Sequence, residues 1–124
     1  MNITISNSSG KPIYEQITSQ IKNSIITGEL KPGDALPSMR LLAKELHISV
    51  ITTKRAYNDL EQEGFLETIT GKGSFVANRD VSLIREGSLR MAEEYLNRAV
   101  EIARENAISL EELTEVLQVL YEER

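Results

Sequence analysis

A chain of 124 residues with 14 Lys/Arg, 19 Asp/Glu and 40% hydrophobic residues has room for about one ordinary domain, or one small domain plus an appendage. It has no cysteine and a single histidine, His47, which excludes a disulfide framework, a thiolate zinc site and a His-rich metal cluster; no metal and no cofactor is expected. No apolar run approaches the roughly 18 residues of a membrane span, and MNITISNSSG lacks the basic and apolar regions of a secretory signal, so a cytoplasmic protein with no membrane partner is expected.

The net charge of -5 is unevenly spread. Residues 1–78 hold eight Lys/Arg and eight Asp/Glu, which leaves six and eleven for residues 79–124. Within the balanced part, Arg40, Lys44, Lys54 and Arg55 lie close together in sequence with Glu45 as their acidic neighbour. A local basic face on an acidic protein is what docking on phosphate requires.

Residues 1–10 are rich in Ser and Asn, with nothing to anchor a fold, and read as a flexible arm. Pro12 stands where a first helix favours proline, at its first position, and Tyr14, Ile17, Ile21 and Ile25 follow at helical spacing. That helix is predicted from about Pro12 to Thr27, with Gly28 as a left-handed cap and Leu30 folding back on the stripe. KPGDALP reads as a turn segment. Ser38 then caps a short second helix, from Met39 to about Leu46, with Leu42 and Leu46 on one face and Arg40 in its first turn. Only His47-Ile48-Ser49 separates it from a third helix, which Ser49 caps and Gly64 stops. So short a turn forces the two helices to pack at a steep angle, the geometry of a helix-turn-helix.

On the third helix Thr53, Ala56, Tyr57 and Leu60 share an inward stripe, leaving Ile51, Lys54, Arg55 and Asn58 outside. Its length of about 22 Å suits a major groove roughly 12 Å wide. FLETIT and SFVA are β-prone runs, and Gly71-Lys72-Gly73 between them supplies the positive φ of a hairpin tip that carries one cation, which makes a wing. A lone GKG joining two strands is no phosphate loop. Beyond Val81, Leu89, Ala92, Leu96, Ala99 and Ala103 follow a 3, 4, 3, 4 spacing. Ser109 with Glu112 forms a capping box for a last helix bearing Leu110, Leu113, Leu117 and Leu120. About forty residues make too small a core to stand alone. Its seam, Leu89, Ala92, Leu96, Ala99, Ala103, Leu113, Leu117 and Leu120, is expected to meet a second copy in a homodimer.

The expected fold class is mainly α with a small β-hairpin wing: a flexible arm at 1–10, a winged helix-turn-helix at 11–78, and a two-helix dimerisation hairpin at 79–124. The blocks PIYEQI, GELKPGDALPSMRLLAKEL and AYNDLEQEGFLETITGKGSFVA, in that order, resemble the GntR superfamily of bacterial transcriptional regulators over roughly Lys11 to Ala77. The short C-terminal part resembles the YtrA-type subfamily; the 47 residues from 78 to 124 could not hold the ligand-binding or aminotransferase-like domains of larger members.

The resemblance implies double-stranded DNA as partner and places the family's contacts on Arg40, on Ser49, Val50, Ile51, Thr52 and Lys54, and on Gly71, Lys72, Gly73 and Ser74. Reading the side chains themselves selects nearly the same set. Arg40 offers a planar fork for a guanine edge or a phosphate, Lys54 a point charge for phosphate, and Lys72 a wing-tip cation for the backbone or minor groove; Arg55 beside Lys54 joins them. The family often has a polar or basic residue where Val50 and Ile51 stand. Hydrogen-bond readout is therefore reduced there, and contact with thymine methyl groups is expected in its place.

Tyr14 and Tyr57 read as packing residues, and His47 as the close of the second helix at the negative end of its dipole. The function expected is a homodimeric repressor reading an inverted repeat at its own or an adjacent operon; the YtrA-type resemblance implies transporter operons. A rival reading, a protein-interaction module without a specific operator, predicts no enrichment from a random DNA pool. An enzyme is not expected, since the chain lacks a Cys nucleophile, a metal cluster and a phosphate loop. A small-molecule effector, whose chemistry the sequence does not specify, would need the dimer seam or the space between hairpin and DNA-binding domain.

Overall fold

The computed structural model describes residues 1–123, as α1 (Ile13–Ile26), α2 (Met39–Leu46), α3 (Val50–Gln62), β1 (Leu66–Ile69), β2 (Gly73–Val76), α4 (Val81–Glu105) and α5 (Leu110–Glu122). The chain divides into two compact units, the first ending at Ser82 and the second beginning at Leu83. No helix among the described residues is long and apolar enough to cross a membrane.

The first unit is built on the apolar stripe of α1. Ile17, Ile21 and Ile25 are buried against the inward face of α3, where Thr53, Ala56, Tyr57 and Leu60 are buried too. Leu42 of α2, Leu66 of β1 and Val76 of β2 complete this core. Each fully buried aliphatic side chain of this kind contributes about 1.5–3 kcal/mol. Pro12 stands one position earlier than expected. Its ψ of 148° is extended, so it is the cap of α1, and its carbonyl accepts from the N–H groups of Glu15 and Gln16. Gly28, at φ +84°, stops the helix as expected, with Leu30 N–H donating back to the Ser24 carbonyl at 2.9 Å.

Two features lie outside the sequence expectations. The arm is tied to α1: the Gln16 side chain accepts from Ser6 N–H and donates to the Ser6 carbonyl, and Gln20 does the same with Thr4, at 2.8 and 2.9 Å for each pair. Residues two apart on an extended chain repeat every ~6.7 Å, close to the ~6 Å between residues four apart on a helix, so two amides can grip two peptide units. KPGDALP is also more than a turn. Lys31–Asp34 forms a tight turn with Pro32 second and Gly33, at φ +87°, third, closed by Asp34 N–H to the Lys31 carbonyl. Residues 33–36 then pair with β2, through Gly33 N–H to Val76 O, Val76 N–H to Asp34 O and Leu36 N–H to Ser74 O. β2 thus lies between β1 on one side and this segment on the other, with Ala35 opposite Phe75.

The second unit has almost no interior. At the end of the first unit Asp80 starts α4, its carboxylate accepting from the Ser82 hydroxyl at 2.6 Å and the Ser82 N–H at 3.0 Å; these bonds hold its carboxyl below the usual range. Ser109 caps α5 by accepting from Glu112 N–H at 3.1 Å. Between the helices, Ile108 N–H donates to the Ala103 carbonyl, and Ala103 is the buried residue of α4. Ala103 is therefore already buried within its own chain, where its place in the seam predicted a residue left for a second copy. Leu96, Ala99 and Val100 face Leu110, Leu113, Leu117 and Leu120 across an apolar groove of about 330 Å³. Leu89 and Ala92 stay exposed, and α5 buries none of its residues.

Candidate nucleic-acid interface

Three local devices fix the outward surface of the first unit. Ser38 caps α2 by accepting from Leu41 N–H at 3.1 Å, which sets Arg40 in an exposed first turn. His47 ends α2 in the left-handed region, φ 56° and ψ 45°, so that Ile48 N–H reaches back to the Ala43 carbonyl at 3.0 Å. Ser49 then caps α3, accepting from Thr52 N–H at 3.1 Å while its hydroxyl bonds that of Thr52 at 2.8 Å. The relation of α2 to α3 is locked from a distance as well. Tyr57, buried on α3, donates its hydroxyl to the Pro37 carbonyl at 2.7 Å, just before α2 begins. Burial pushes the Tyr57 phenol up, well above its ordinary value.

With the turn so fixed, the start of α3 faces outward. Val50 is 44% exposed and Ile51 82% exposed, large apolar groups left in water, while Lys54 and Asn58 are exposed beside them. Ser49 and Thr52 spend their hydroxyls on the cap, so their value at a surface contact lies more in shape and backbone than in free donors. Arg55 is exposed too, and its guanidinium carbon lies 3.7 Å from the centre of the Tyr14 ring. The packing expected of Tyr14 thus includes a cation stack.

At the wing, β1 and β2 pair from Leu66 with Val76 to Ile69 with Gly73. The tip closes by Lys72 N–H to the Ile69 carbonyl at 2.9 Å, with Gly71 at φ +80° where a side chain would be strained. Gly71, Lys72 and Gly73 are exposed. Ser74 is not; it is 8% exposed, its hydroxyl 3.4 Å from that of Thr68, so it belongs to the wing's inner face and not to the outward set in which the sequence placed it. The alternation of a strand explains this, since Ser74 shares its face with the buried Val76.

The structure thus gathers Arg40, Val50, Ile51, Lys54, Arg55 and the Gly71–Gly73 tip onto the exterior of one unit. Sequence patterns had no signal for the Arg55–Tyr14 stack or for Arg79, which donates to the Glu63 carbonyl and lies 5.5 Å from the centre of the Phe65 ring, because each pairs residues from distant segments.

Known proteins match the chain across this unit. Residues 13–76 match the model of the bacterial regulatory proteins of the gntR family. The HTH-type transcriptional repressor YtrA of Bacillus subtilis is 38% identical over 113 residues, 91% of this chain and 87% of that one. Among solved structures, YtrA from Sulfolobus acidocaldarius, a GntR-family transcription factor, is 38% identical with a TM-score of 0.60, over 74% of this chain and 97% of that one. AraR(DBD) in complex with operator ORX1 is 26% identical with a TM-score of 0.55, over 62% and 96%. With the family's winged helix-turn-helix in place and its match running through α1, α2, α3 and the wing, the chain belongs to the GntR family as a YtrA-like transcriptional regulator, and not to a class of enzymes.

Proposed function

We propose that this regulator is a homodimeric, sequence-specific repressor in which residues 11–78 read DNA and residues 79–124 join two copies. The observation that carries the reading is the outward start of α3, where Ile51 at 82% exposure stands among Arg40, Val50 and Lys54. Cations supply affinity for phosphate, and an apolar group among them is suited to a base edge bearing a methyl. The match to a domain solved on an operator supports DNA binding by this unit. We assign the DNA contacts to Arg40, Ser49, Val50, Ile51, Thr52, Lys54, Arg55, Gly71, Lys72 and Gly73, and leave out Ser74, which is buried.

Dimerisation rests on the second unit, whose apolar residues are mostly in water. Leu110, Val116, Leu117, Val119, Leu120 and Tyr121 leave α5 apolar over more than half its circumference, opposite a polar arc of Glu111, Glu115, Gln118 and Glu122. A helix of that kind is stable only when covered from more than one side. We assign the groove lined by Leu96, Leu113, Leu117 and Leu120 to the matching helices of a second copy. Two heads related by a twofold axis then read an inverted repeat with half-sites about one helical turn apart, or a multiple of it. We assign as its targets its own or an adjacent operon, of the transporter type that the subfamily resemblance implies.

Selection of bound sequences from random DNA by the purified protein tests this, followed by comparison with the region upstream of its own gene. Enrichment of an inverted repeat that recurs upstream is the expected result. Absence of any enriched sequence at defined salt would sink the reading in favour of a protein-interaction module.

A further inference from the structure

Arg55 is placed differently from the other cations of the outward face. On a helical wheel it lies about 40° past Ile51, on the flank of α3 that turns toward α1. Asp59, one turn further along α3, would offer a carboxylate at the spacing that normally pairs with it. No ion pair joins them; the one among the described residues is Lys22 with Glu63, at 2.7 Å. The guanidinium lies instead over the Tyr14 ring, with its carbon 3.7 Å from the ring centre, and Tyr14 is half-buried in the first turn of α1.

A stacked guanidinium uses its face and leaves its edge free. All five N–H donors lie in that edge, in the fork that fits two phosphate oxygens. An exposed arginine would otherwise lose its rotamer freedom on binding, whereas one already fixed on a ring has less to lose. The geometry points to Tyr14 as a positioning residue for DNA binding: its ring holds Arg55 at the rim of α3 with the guanidinium edge turned to a backbone phosphate beside the groove. This rests on the DNA reading above and adds the residue that makes one of its contacts effective. Tyr14 itself touches no base.

The test uses the full chain and its selected operator, with affinity measured across a salt series and melting followed for each variant. Arg55→Ala is expected to weaken binding and lower the salt slope by about one unit. Tyr14→Phe keeps the stack and should bind as the unsubstituted protein does. Tyr14→Leu should weaken binding about two- to five-fold, the scale of an exposed cation–π contact, and should add nothing in the Arg55→Ala background. If Tyr14→Leu costs as much without Arg55 as with it, the ring acts through packing and the proposal is overturned. If Arg55→Ala leaves affinity and slope unchanged, the proposal fails while operator binding stands. Failure of the unsubstituted protein to bind any operator would overturn the DNA reading and this inference together.

Discussion

At the scale of single residues, two positions carry a cost that points in opposite directions. His47 adopts φ 56° to close α2, a conformation that disfavours any side chain with a Cβ. His47→Gly should therefore stabilise the protein by about 0.5–1 kcal/mol, measured as a rise in the denaturant midpoint at unchanged slope. Ile51 is costly in another way, since an isoleucine 82% exposed gains nothing from folding. Its return comes on DNA if it meets a thymine methyl. Replacing thymine by uracil at that position removes one methyl, worth about 0.8 kcal/mol or roughly fourfold in affinity. The expected outcome is that the unsubstituted protein feels this exchange and Ile51→Ala does not; equal sensitivity in both would refute the contact. Tyr57 sets an alkaline limit. Its phenol is raised in the folded state, so folding favours the neutral form. That stability is complete below the ordinary phenol value of about 10 and is lost as pH rises beyond it, because the unfolded chain then ionises first. Unfolding midpoints followed from pH 8 upward should fall only above about 10.

At the scale of elements, the wing and the arm show what pattern reading reaches. Lys72→Ala should weaken binding to all sequences and lower the salt slope by about one unit, whereas Arg40→Ala should cost about 1–3 kcal/mol and relax a single base position. Binding titrations against matched and mismatched operators separate the two. The helices were legible because their apolar positions repeat at helical spacing and Ser38, Ser49 and Ser109 announce their starts. The hairpin was legible from Gly71 and Gly73. The pairing of residues 33–36 with β2 was not, since Pro32 and Pro37 surround too short a segment for any alternation to register. Neither was the grip of Gln16 and Gln20 on Ser6 and Thr4, which is wholly polar and made between segments. The same limit hid the Tyr14–Arg55 stack. The burial of Ser74 was within reach of the pattern, since it alternates in step with the buried Val76. Residue type sets what a side chain can do at a surface, but the partner that occupies it is a tertiary fact.

At the scale of the molecule, the two units differ in how much apolar surface they bury. The first has a core of α1, α2, α3 and the wing; the second leaves most of its apolar side chains exposed. If two copies cover those faces, the melting of α4 and α5 must depend on protein concentration. Leu117→Glu, which puts a charge into the apolar groove, should leave a monomer by sedimentation and reduce operator affinity by about a hundredfold or more, the avidity lost with the second head. A dimer that survives this substitution would place the interface elsewhere.

The chain has no tryptophan and four tyrosines, and they are divided evenly, Tyr14 and Tyr57 in the first unit, Tyr95 and Tyr121 in the second. Tyr57 is enclosed, while Tyr95 and Tyr121 stand in water. The protein therefore carries its own optical reporters. All four emit in one band, so Tyr→Phe changes confined to one unit are what separate the signal of the enclosed Tyr57 from that of the exposed Tyr95 and Tyr121.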